Sequence, residues 1–321
     1  MKPLAPPVQV VVFGSLNMDL VVRVPRMPRP GETLAGYNFL SNPGGKGANQ
    51  AVACRRQGAT VEMVGKIGDD IFGAPLRAAM KVEGVGLQGV ATVAGHSTGV
   101  AVIMVDDQAQ NCIAVVSGAN ALVSEHDAEA IRARLEGAAM LLLQLEVPMH
   151  AVVRAAAVAR QVGCRVLLNP APAQALPEVL WPLIDILVVN ETEAKMLAGV
   201  VGVGRENAAE VAVLLLQRGP GEVIITLGEH GVVCASAGRV RSYDAVKVQT
   251  MDTTAAGDTF IGALVAMLVE GRDMAHAVRH AIHAAAICVT RPGAQASMPS
   301  RAEVEQLIQD VSASSIGAGP G

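Results

Sequence analysis

Short apolar runs alternate with amphipathic stretches along most of the chain. The run at 10–13 contains no polar residue, which is typical of a strand buried on both faces. Similar runs predict strands at 61–64, near Val90 and at 139–145, 165–169, 184–189, 222–227 and 231–235. Helices are predicted at 48–57, 71–82, 125–136, 148–162, 191–199, 205–218, 256–270, 273–288 and 301–311. Repeated strand-then-helix order predicts an α/β fold with a doubly wound, mostly parallel sheet flanked by helices.

Two stretches depart from this alternation. Residues 98–105 and 112–116 are β runs joined by a polar segment with no helix between them, which predicts a hairpin. Valines and prolines crowd together within 16–42 and predict short strands and turns. We therefore expect segments 16–42 and 97–118 to form a small sheet beside one main domain that covers residues 8–300.

The composition supports a buried parallel sheet and argues against two classes of protein. Hydrophobic residues make up 51% of the chain and aromatic residues only 2%. The mean hydropathy is +0.39, but no apolar run approaches the roughly 18 residues of a membrane-spanning helix. The net charge is −4 and no long basic run is present, so we expect no nucleic-acid partner and no membrane.

The cysteines and the chain ends indicate a cytoplasmic protein. The five cysteines are far apart and form no C-x-x-C pair, which argues against a zinc ribbon or a redox motif. Their odd number, and the lack of a signal-peptide pattern in residues 1–7, favour reduced thiols. The tails at 1–7 and 312–321 are predicted to be flexible.

Some familiar motifs are present in the wrong context or are incomplete. Residues 84–89 match G-x-G-x-x-G, but they follow a predicted helix and enter a β run, whereas a dinucleotide site needs the opposite order. This argues against a dehydrogenase. His276, His280 and His283 share one helix face without further ligands nearby in the sequence, and we interpret them as a polar or pocket-lining face.

The segment 252–258 carries the strongest chemical signal. It joins a β region to a predicted helix that begins near Ala256, so its backbone N–H groups would lie at a helix N-terminus. Small residues at 255–257 would let an anion approach the backbone closely. Asp258 in the first helical turn would then act as a base beside that anion site.

Polar residues also follow the predicted strands, where the ligand edge of an α/β sheet lies. Residues 44–50 combine glycines with Lys46, Asn49 and Gln50 at the start of a helix, and could bind a polyhydroxyl ligand. Asn17 and Asp19 leave the carboxyl end of the first strand, and Asp19 could accept hydrogen bonds from two hydroxyls of such a ligand. The other such residues are Gln144, Glu146, Asn190, Glu193, Thr226, Gly228 and Gly231.

Taken together, residues 10–299 resemble the ribokinase/PfkB family of sugar kinases. The resemblance rests on two strings, at 44–50 and at 252–258. It implies a central sheet flanked by helices with a small β lid, near 16–42 and 97–118, that covers the sugar and pairs with a second subunit. It also implies ATP-dependent phosphorylation of D-ribose at the 5-hydroxyl.

The same resemblance implies roles for individual residues. Asp258 would be the base, and the N–H groups of Ala255, Ala256 and Gly257 would form the anion hole. The sugar would be held by Asn17, Asp19, Gly44, Gly45, Lys46, Asn49 and Glu146. ATP and Mg²⁺ would lie near Asn190, Glu193, Thr226, Gly228, Gly231 and Gly257.

A monovalent cation, potassium in this family, is implied beside the anion hole. Its site would use Asp252, Thr254, Cys288, Arg291, Gly293 and Ser297, mostly through backbone carbonyls. Ile282 and His283 stand where the family often carries an asparagine on the adenine side, so His283 is the candidate contact to adenine.

Other functions remain open. The chain could be a kinase of the same family that acts on deoxyribose, a ketohexose or adenosine. Lys46, Asn49 and Glu146 favour a free pentose. The chain could also be a catalytically silent sugar sensor, against which the intact Asp258, Asp252 and Asn190 argue.

Overall fold

Thirteen strands and ten α-helices make up the part of the chain that the computed structural model describes, residues 8–108 and 110–317. The strands, numbered along the chain, are β1 (Val10–Phe13), β2 (Asn17–Arg23), β3 (Asn38–Gly44), β4 (Val61–Gly68), β5 (Gly86–Val93), β6 (Gly99–Val105), β7 (Asn111–Val116), β8 (Met140–Leu143), β9 (Arg165–Leu168), β10 (Ile186–Asn190), β11 (Glu222–Thr226), β12 (Val232–Ser236) and β13 (Arg239–Tyr243). The helices are α1 (Lys46–Arg56), α2 (Gly73–Val82), α3 (Glu125–Ala130), α4 (Arg132–Leu135), α5 (Met149–Gln161), α6 (Glu191–Ala198), α7 (Ala208–Leu216), α8 (Ala256–Val269), α9 (Met274–Cys288) and α10 (Arg301–Gly317).

The main sheet has nine strands in the order β13-β12-β11-β10-β9-β8-β1-β4-β5. Neighbours from β5 to β11 run parallel, and β12 and β13 are antiparallel at one edge. The chain passes from β1 to β4 on one side and later returns to β8 on the other. The strand order therefore reverses at β1 and β8, and ligands of open α/β sheets bind in the crevice at such a reversal.

Each buried strand contributes side chains to two hydrophobic layers, one on either face of the sheet. In β1, Val10 and Val12 belong to the layer with α1, α2, α8 and α9, whereas Val11 and Phe13 face α3 to α7. Successive side chains of a strand point to opposite faces, so a strand covered on both faces must be apolar at every position. This is why the predicted apolar runs correspond to strands.

Helices α1 and α8 cross at very short range. A Cβ added at Gly262 of α8 would lie 2.3 Å from the Cβ of Ala53 in α1. No side chain fits in that space, so the crossing depends on glycine at this position. The close crossing brings the start of α1, with Asn49 and Gln50, next to the start of α8, with Asp258.

The small sheet has the order β3-β2-β6-β7 and is separate from the main sheet. β6 and β7 form the predicted antiparallel hairpin, and β2 joins them from the segment 16–42. The predicted fold class and the separate small sheet are both confirmed.

Several predicted elements differ in the structure. Asn17 and Asp19, which were placed only at the end of the first strand, begin a strand of their own, β2, which pairs with strands distant in sequence. The predicted helix 125–136 is two helices, since the Arg134 N–H bonds the Ile131 carbonyl only three residues back. β13 was missed because it is an exposed edge strand with two arginines. Residues 312–317 continue α10, whereas a flexible tail was expected; residues 1–7 and 318–321 of the predicted tails lie outside the described residues.

Among the described helices, none combines the length and apolarity needed to cross a membrane.

Candidate active site

The carboxyl ends of three neighbouring parallel strands, β9, β10 and β11, line one cavity. It has a volume of about 200 Å³, and its lining includes Lys46, Asn190, Glu193, Thr226 and Asp258. The segment at 255–257 forms another wall of the same cavity. The structure therefore brings the two motif strings, more than 200 residues apart in sequence, to one place.

Asp258 lies in the first turn of α8 and is only 7% exposed. Its Oδ2 accepts a hydrogen bond from Asn49 Nδ2 at 3.0 Å, and its Oδ1 accepts one from Gln50 Nε2 at 3.0 Å. Burial raises the pKa of Asp258 above its ordinary value, while Lys46 and the two amides oppose this rise. The arrangement suits a carboxylate that must accept a proton near neutral pH.

The helix N-terminus at Asp258 is open to an anion. Ala255 caps α8 with φ of 60°, which makes it the one non-glycine residue with positive φ among the described residues. Its methyl side chain makes no capping hydrogen bond, so the first N–H groups of α8 have no side-chain acceptor there. The Ala256 N–H bonds the Thr253 carbonyl at 3.2 Å, so in this structure Ala255 and Gly257 are the better-placed donors of the predicted three.

Lys46 supplies positive charge opposite a group of acids. The carboxylates of Asp258, Glu146, Glu193 and Asp19 all act on its ammonium group. Burial by itself would lower the pKa of Lys46, but these carboxylates outweigh it and raise the pKa above the ordinary value. Lys46 therefore stays protonated and offsets part of the repulsion among the acids.

On the sugar side, Glu146 organises the start of α1. Its Oε2 accepts hydrogen bonds from Ser15 Oγ at 2.5 Å, the Lys46 N–H at 2.9 Å and Asn17 Nδ2 at 3.5 Å. Gly44 ends β3, opposite Asn17 in the strand register, and Gly45 is the residue before α1. The predicted sugar-binding residues thus lie together at the junction of the two sheets.

The residues predicted for the nucleotide side lie at strand ends, in the following turn and in the N-terminal cap of a helix. Asn190 and Glu193 form a capping box on α6, in which Glu193 Oε2 accepts from the Asn190 N–H at 2.9 Å and Oε1 from Asn190 Nδ2 at 3.1 Å. Burial raises the pKa of Glu193. Thr226 ends β11, and Gly228 and Gly231 bound the turn that follows.

The predicted cation residues form a second cluster behind the anion site. Asp252 accepts hydrogen bonds from Thr254 through Oδ1, at 2.9 Å from the N–H and 2.6 Å from Oγ1, and from the Gly293 N–H through Oδ2 at 2.8 Å. Burial would raise the pKa of Asp252, but these bonds lower it below its ordinary value. The carboxylate is therefore ionised and ties the segment at 252–254 to the turn at 291–297.

Three predicted residues have other partners. Arg291 forms an ion pair with Glu303 at 2.6 Å, which leaves only its backbone for the cation cluster. The Cys288 Sγ lies 3.1 Å from Ser297 Oγ, and burial raises the pKa of its thiol, so Cys288 is neutral. His283 does not line the cavity, and its Nδ1 lies 2.7 Å from the Arg279 carbonyl.

Sequence reasoning missed several polar residues around the site. Asn169 accepts from Gln50 Nε2 at 3.2 Å and donates to the Val188 carbonyl at 3.1 Å. It follows β9, so its place after an apolar strand could have revealed it. Asn120 bonds Leu16 and Asn17 from a 3₁₀ turn that has no distinguishing signal in the sequence. Ser15 and Gln295 were also missed, whereas Gln144 was expected at a strand end without a partner and here donates to Gln50.

Two other features do not form part of the site. A larger cavity, of about 350 Å³, lies beside α2, but its Arg77 bonds the Val90 carbonyl and Thr92, and its Asp70 bonds Thr98. These polar groups hold the local fold. Across residues 8–108 and 110–317, no three His, Cys, Asp or Glu side chains are arranged to hold a metal. His280 bonds Gln57, and burial together with Arg301 lowers its pKa to about 4.

Comparison with known proteins identifies the family. The model of the pfkB family of carbohydrate kinases matches residues 8–301, so the chain belongs to that family. A ribokinase of Haemophilus influenzae is 43% identical over 93% of this chain and 97% of its own. The structure of Arabidopsis thaliana ribokinase complexed with ribose and ATP superposes with a TM-score of 0.86 at 32% identity, covering 94% of this chain and 99% of that one. A deoxyribokinase of Salmonella typhi is 35% identical over 93% of this chain and 98% of its own.

The ionisation of Asp19 should be visible in stability measurements. Burial, Glu146 and Asp258 raise the pKa of Asp19 to about 7, from 3.8. Between these values the folded chain holds a proton that the unfolded chain releases, so this residue's contribution to stability falls as pH rises toward 7. We expect Asp19→Asn, which imitates the protonated acid, to raise Tm at pH 8 by roughly 3 °C or more. The gain should fade toward pH 4 in thermal unfolding scans.

Asp244 provides the matched control, because its side chain is 88% exposed. Asp244→Asn should change Tm by the same small amount at every pH. A gain for Asp19→Asn that is equal at pH 4 and pH 8 would contradict the assignment of a raised pKa to Asp19.

Proposed function

We propose that the chain transfers the γ-phosphoryl group of ATP to the 5-hydroxyl of D-ribose, giving ribose 5-phosphate and ADP. The observation that carries this proposal is Asp258, buried at the open N-terminus of α8 and held by two amides of α1. It combines a base and an anion site at one point. The family and the similarity to ribokinases support ribose as the acceptor.

The chemistry follows from this geometry. Phosphoryl transfer needs positioning and neutralisation of charge more than covalent chemistry. Asp258 would orient the sugar hydroxyl and take its proton as the hydroxyl attacks, an effect of about 10²–10⁴-fold for a general base. The positive end of the α8 dipole and the free N–H groups of Ala255 and Gly257 would stabilise the negative charge that spreads over the transferred group.

The sugar would lie between the small sheet and the start of α1. Asp19 and Glu146 are acceptors for sugar hydroxyls, and Lys46 is a donor beside them. Asn49 bonds Asp258 in this structure, so it would act on the sugar through the base as well as directly. A group of hydrogen-bond acceptors and donors at the junction of the two sheets suits a small polyhydroxyl ligand.

ATP would extend from the α8 N-terminus toward Asn190, Glu193 and Thr226. Mg²⁺, which binds through phosphates, water and one or two carboxylates, would neutralise the phosphate charge there. The residues fit such an ion: Glu193 is an acid that lines the cavity, and both its oxygens already accept hydrogen bonds from Asn190. Glu193 would therefore reach the ion through water.

Replacement of the base tests this proposal directly. Asp258→Asn keeps the size of the side chain but removes the proton acceptor, so kcat should fall by at least about 100-fold while ribose still binds. ADP release should be measured with ribose, 2-deoxyribose, fructose and adenosine as acceptors, and ribose binding by calorimetry. Near-normal turnover of the variant would eliminate Asp258 as the base.

The acceptor panel also tests the substrate. Because a deoxyribokinase is 35% identical to the chain, 2-deoxyribose is the main alternative, followed by a ketohexose or a nucleoside. Preference for ribose in the wild type supports the proposal. Turnover of another acceptor alone would retain the kinase mechanism but replace the substrate, and ribose binding without any turnover would indicate a sensor.

We also propose that a potassium ion occupies the cluster around Asp252. Its carboxylate, the hydroxyls of Thr254 and Ser297 and nearby carbonyls are hard oxygen donors, which fit an alkali cation. The cluster is continuous with the segment that ends at Ala255. An ion there would hold this segment in place and would not touch the substrate.

Asp252→Ala should abolish the response to potassium. We expect wild-type kcat and Tm to rise when K⁺ replaces a bulky organic cation, and both rises to disappear in the variant. Asp185→Ala also removes a carboxylate that bonds a backbone N–H, here that of Val166, but far from the cluster, so it should retain the response. An unchanged potassium response in Asp252→Ala would move the cation site elsewhere.

We further propose that the small sheet is a lid through which two copies pair. In the strand register, Leu40, Ile113 and Val115 share a face with Asp19. Their exposures are 48%, 52% and 54%. An exposed apolar face of this kind marks an interaction surface, and a second copy would cover it while closing the sugar site against water.

Ile113→Lys should convert the dimer into a monomer, because two-fold pairing would bring together two buried, unpaired charges. The mass should be measured by sedimentation equilibrium, and the KM for sugar should rise in parallel. Val116→Lys is the control, since Val116 is 57% exposed but lies on the opposite face of β7. A wild-type monomer, or an Ile113→Lys dimer, would refute the pairing.

A further inference from the structure

Both oxygens of the base are held by consecutive residues of α1. Asn49 reaches one oxygen of Asp258 and Gln50 the other, each at 3.0 Å. The Gln50 side chain is completely buried, and Asn49 is 6% exposed. An ionised carboxylate can only accept hydrogen bonds, so both amides must turn their NH₂ groups toward Asp258 and their oxygens away.

Two further glutamines receive those outward oxygens. Gln144, which follows β8, donates from Nε2 to Gln50 Oε1 at 2.6 Å. Gln295, in the 3₁₀ turn before α10, donates from Nε2 to Asn49 Oδ1 at 3.2 Å. Reversal of either inner amide would place its NH₂ group against the NH₂ group of its partner and its oxygen against the carboxylate. Each outer glutamine therefore selects the amide orientation that the base requires.

The surroundings of Gln144 indicate that its side-chain N–H group makes the useful contact and that its oxygen does not. Its Oε1 is buried and has no hydrogen-bond partner among the described residues. A Cβ on Gly14 would lie 2.0 Å from that oxygen, so glycine at 14 makes the room for it. An unpaired buried oxygen destabilises a fold, and an apolar side chain would avoid that cost. Glutamine at this position is explained by what its nitrogen does for Gln50.

We propose that Gln144 and Gln295 are positioning residues for the reaction, which hold the amides of Gln50 and Asn49 with their N–H groups on Asp258. The base is thereby kept ionised and aimed at the sugar hydroxyl. Gln50 also donates to Asn169, and Asn169 Nδ2 lies 3.5 Å from Glu193 Oε2. The amide chain thus extends from the base toward the nucleotide side. This inference rests on the proposed kinase function.

The charges around Asp258 explain why such support is required. Lys46 is the cation that favours its ionised form, whereas burial and Glu146 oppose ionisation. Asp19 and Glu193 also interact with Asp258 as like charges, and the neutral thiol of Cys288 accepts a hydrogen bond from Thr259 Oγ1 at 3.2 Å. Loss of a donated N–H would move a proton onto Asp258 at higher pH.

The test replaces each outer glutamine by methionine, which has similar length and no N–H. For Gln144→Met and Gln295→Met we expect kcat to fall about tenfold or more, with the KM for sugar changed by less than about threefold, because the residues that face the sugar remain. The acid limb of the kcat–pH profile should move upward by about half to one pH unit. The two variants lie in different elements, so failure of one to fold leaves the other as a test.

Gln57→Met is the matched control. Gln57 is a buried glutamine at the end of α1 that bonds the Pro299 carbonyl at 2.8 Å and His280 at 2.9 Å. Its replacement should lower Tm in the manner of a lost buried hydrogen bond but leave the acid limb in place. Melting curves of all variants are recorded beside the kinetics.

The outcomes separate this inference from the proposed function. Upward movement of the acid limb in both outer variants, but not in Gln57→Met, supports it. An unmoved limb, with a loss of kcat no greater than in Gln57→Met, overturns it, and movement in only one variant overturns it for the other glutamine. If the wild type prefers a different acceptor, the proposed substrate is wrong. The kcat values and acid limbs of the variants, measured on that acceptor and compared with the wild type, still decide the roles of the glutamines.

Discussion

A carboxylate kept charged in a nearly dry interior is the constraint on which this active site depends. Asp258 must be ionised if it is to accept a proton as proposed, yet burial and neighbouring acids favour its neutral form. Lys46 and the hydrogen bonds from Asn49 and Gln50 stabilise the ionised form. Charge-assisted hydrogen bonds are about twice as strong as neutral ones, which makes buried amides effective partners for the base.

These contacts to Asp258 require several segments that are far apart in sequence to lie close together. Gly262 lets α8 approach α1 closely enough for the amides to reach the base. Gln144 and Asn169 follow β8 and β9, which are neighbours in the sheet, and β1 lies on the other side of β8. The reversal of strand order at β1 and β8 opens the crevice where these groups converge. The two apolar layers of the sheet thus have a direct catalytic consequence, since they hold the strand ends in register.

The sugar side follows a different logic, because it belongs partly to the small sheet. Asp19 lies in β2 with a pKa raised to about 7, and Glu146 ties Ser15, Asn17 and Lys46 together. The acids repel one another, which destabilises the folded chain at this point, and the proposed binding of sugar hydroxyls gives these acids a use. The apolar face that continues from Asp19 toward Ile113 is exposed, and a second copy would cover it in the proposed pairing. A lid completed by a second copy would connect sugar binding to assembly.

The sequence alone determined the α/β class, the order of most elements, the separate small sheet and the two motif strings, since all of these are written in local periodicity and in contiguous residues. Local pattern could not reveal β13, whose exposed arginines hide an edge strand, or the place of Asp19 in a strand paired over long range. It also could not show that Arg291 pairs with Glu303 or that His283 is not part of the cavity lining. Nor could it show that Gln144 and Gln295 bond the two amides that contact Asp258. The sequence indicated Gln144 only as a polar residue at a strand end, and no local pattern indicates its partner. Its role becomes apparent only in the tertiary structure. The packing of α1, α8 and the strand ends buries this side chain and places its amide against Gln50.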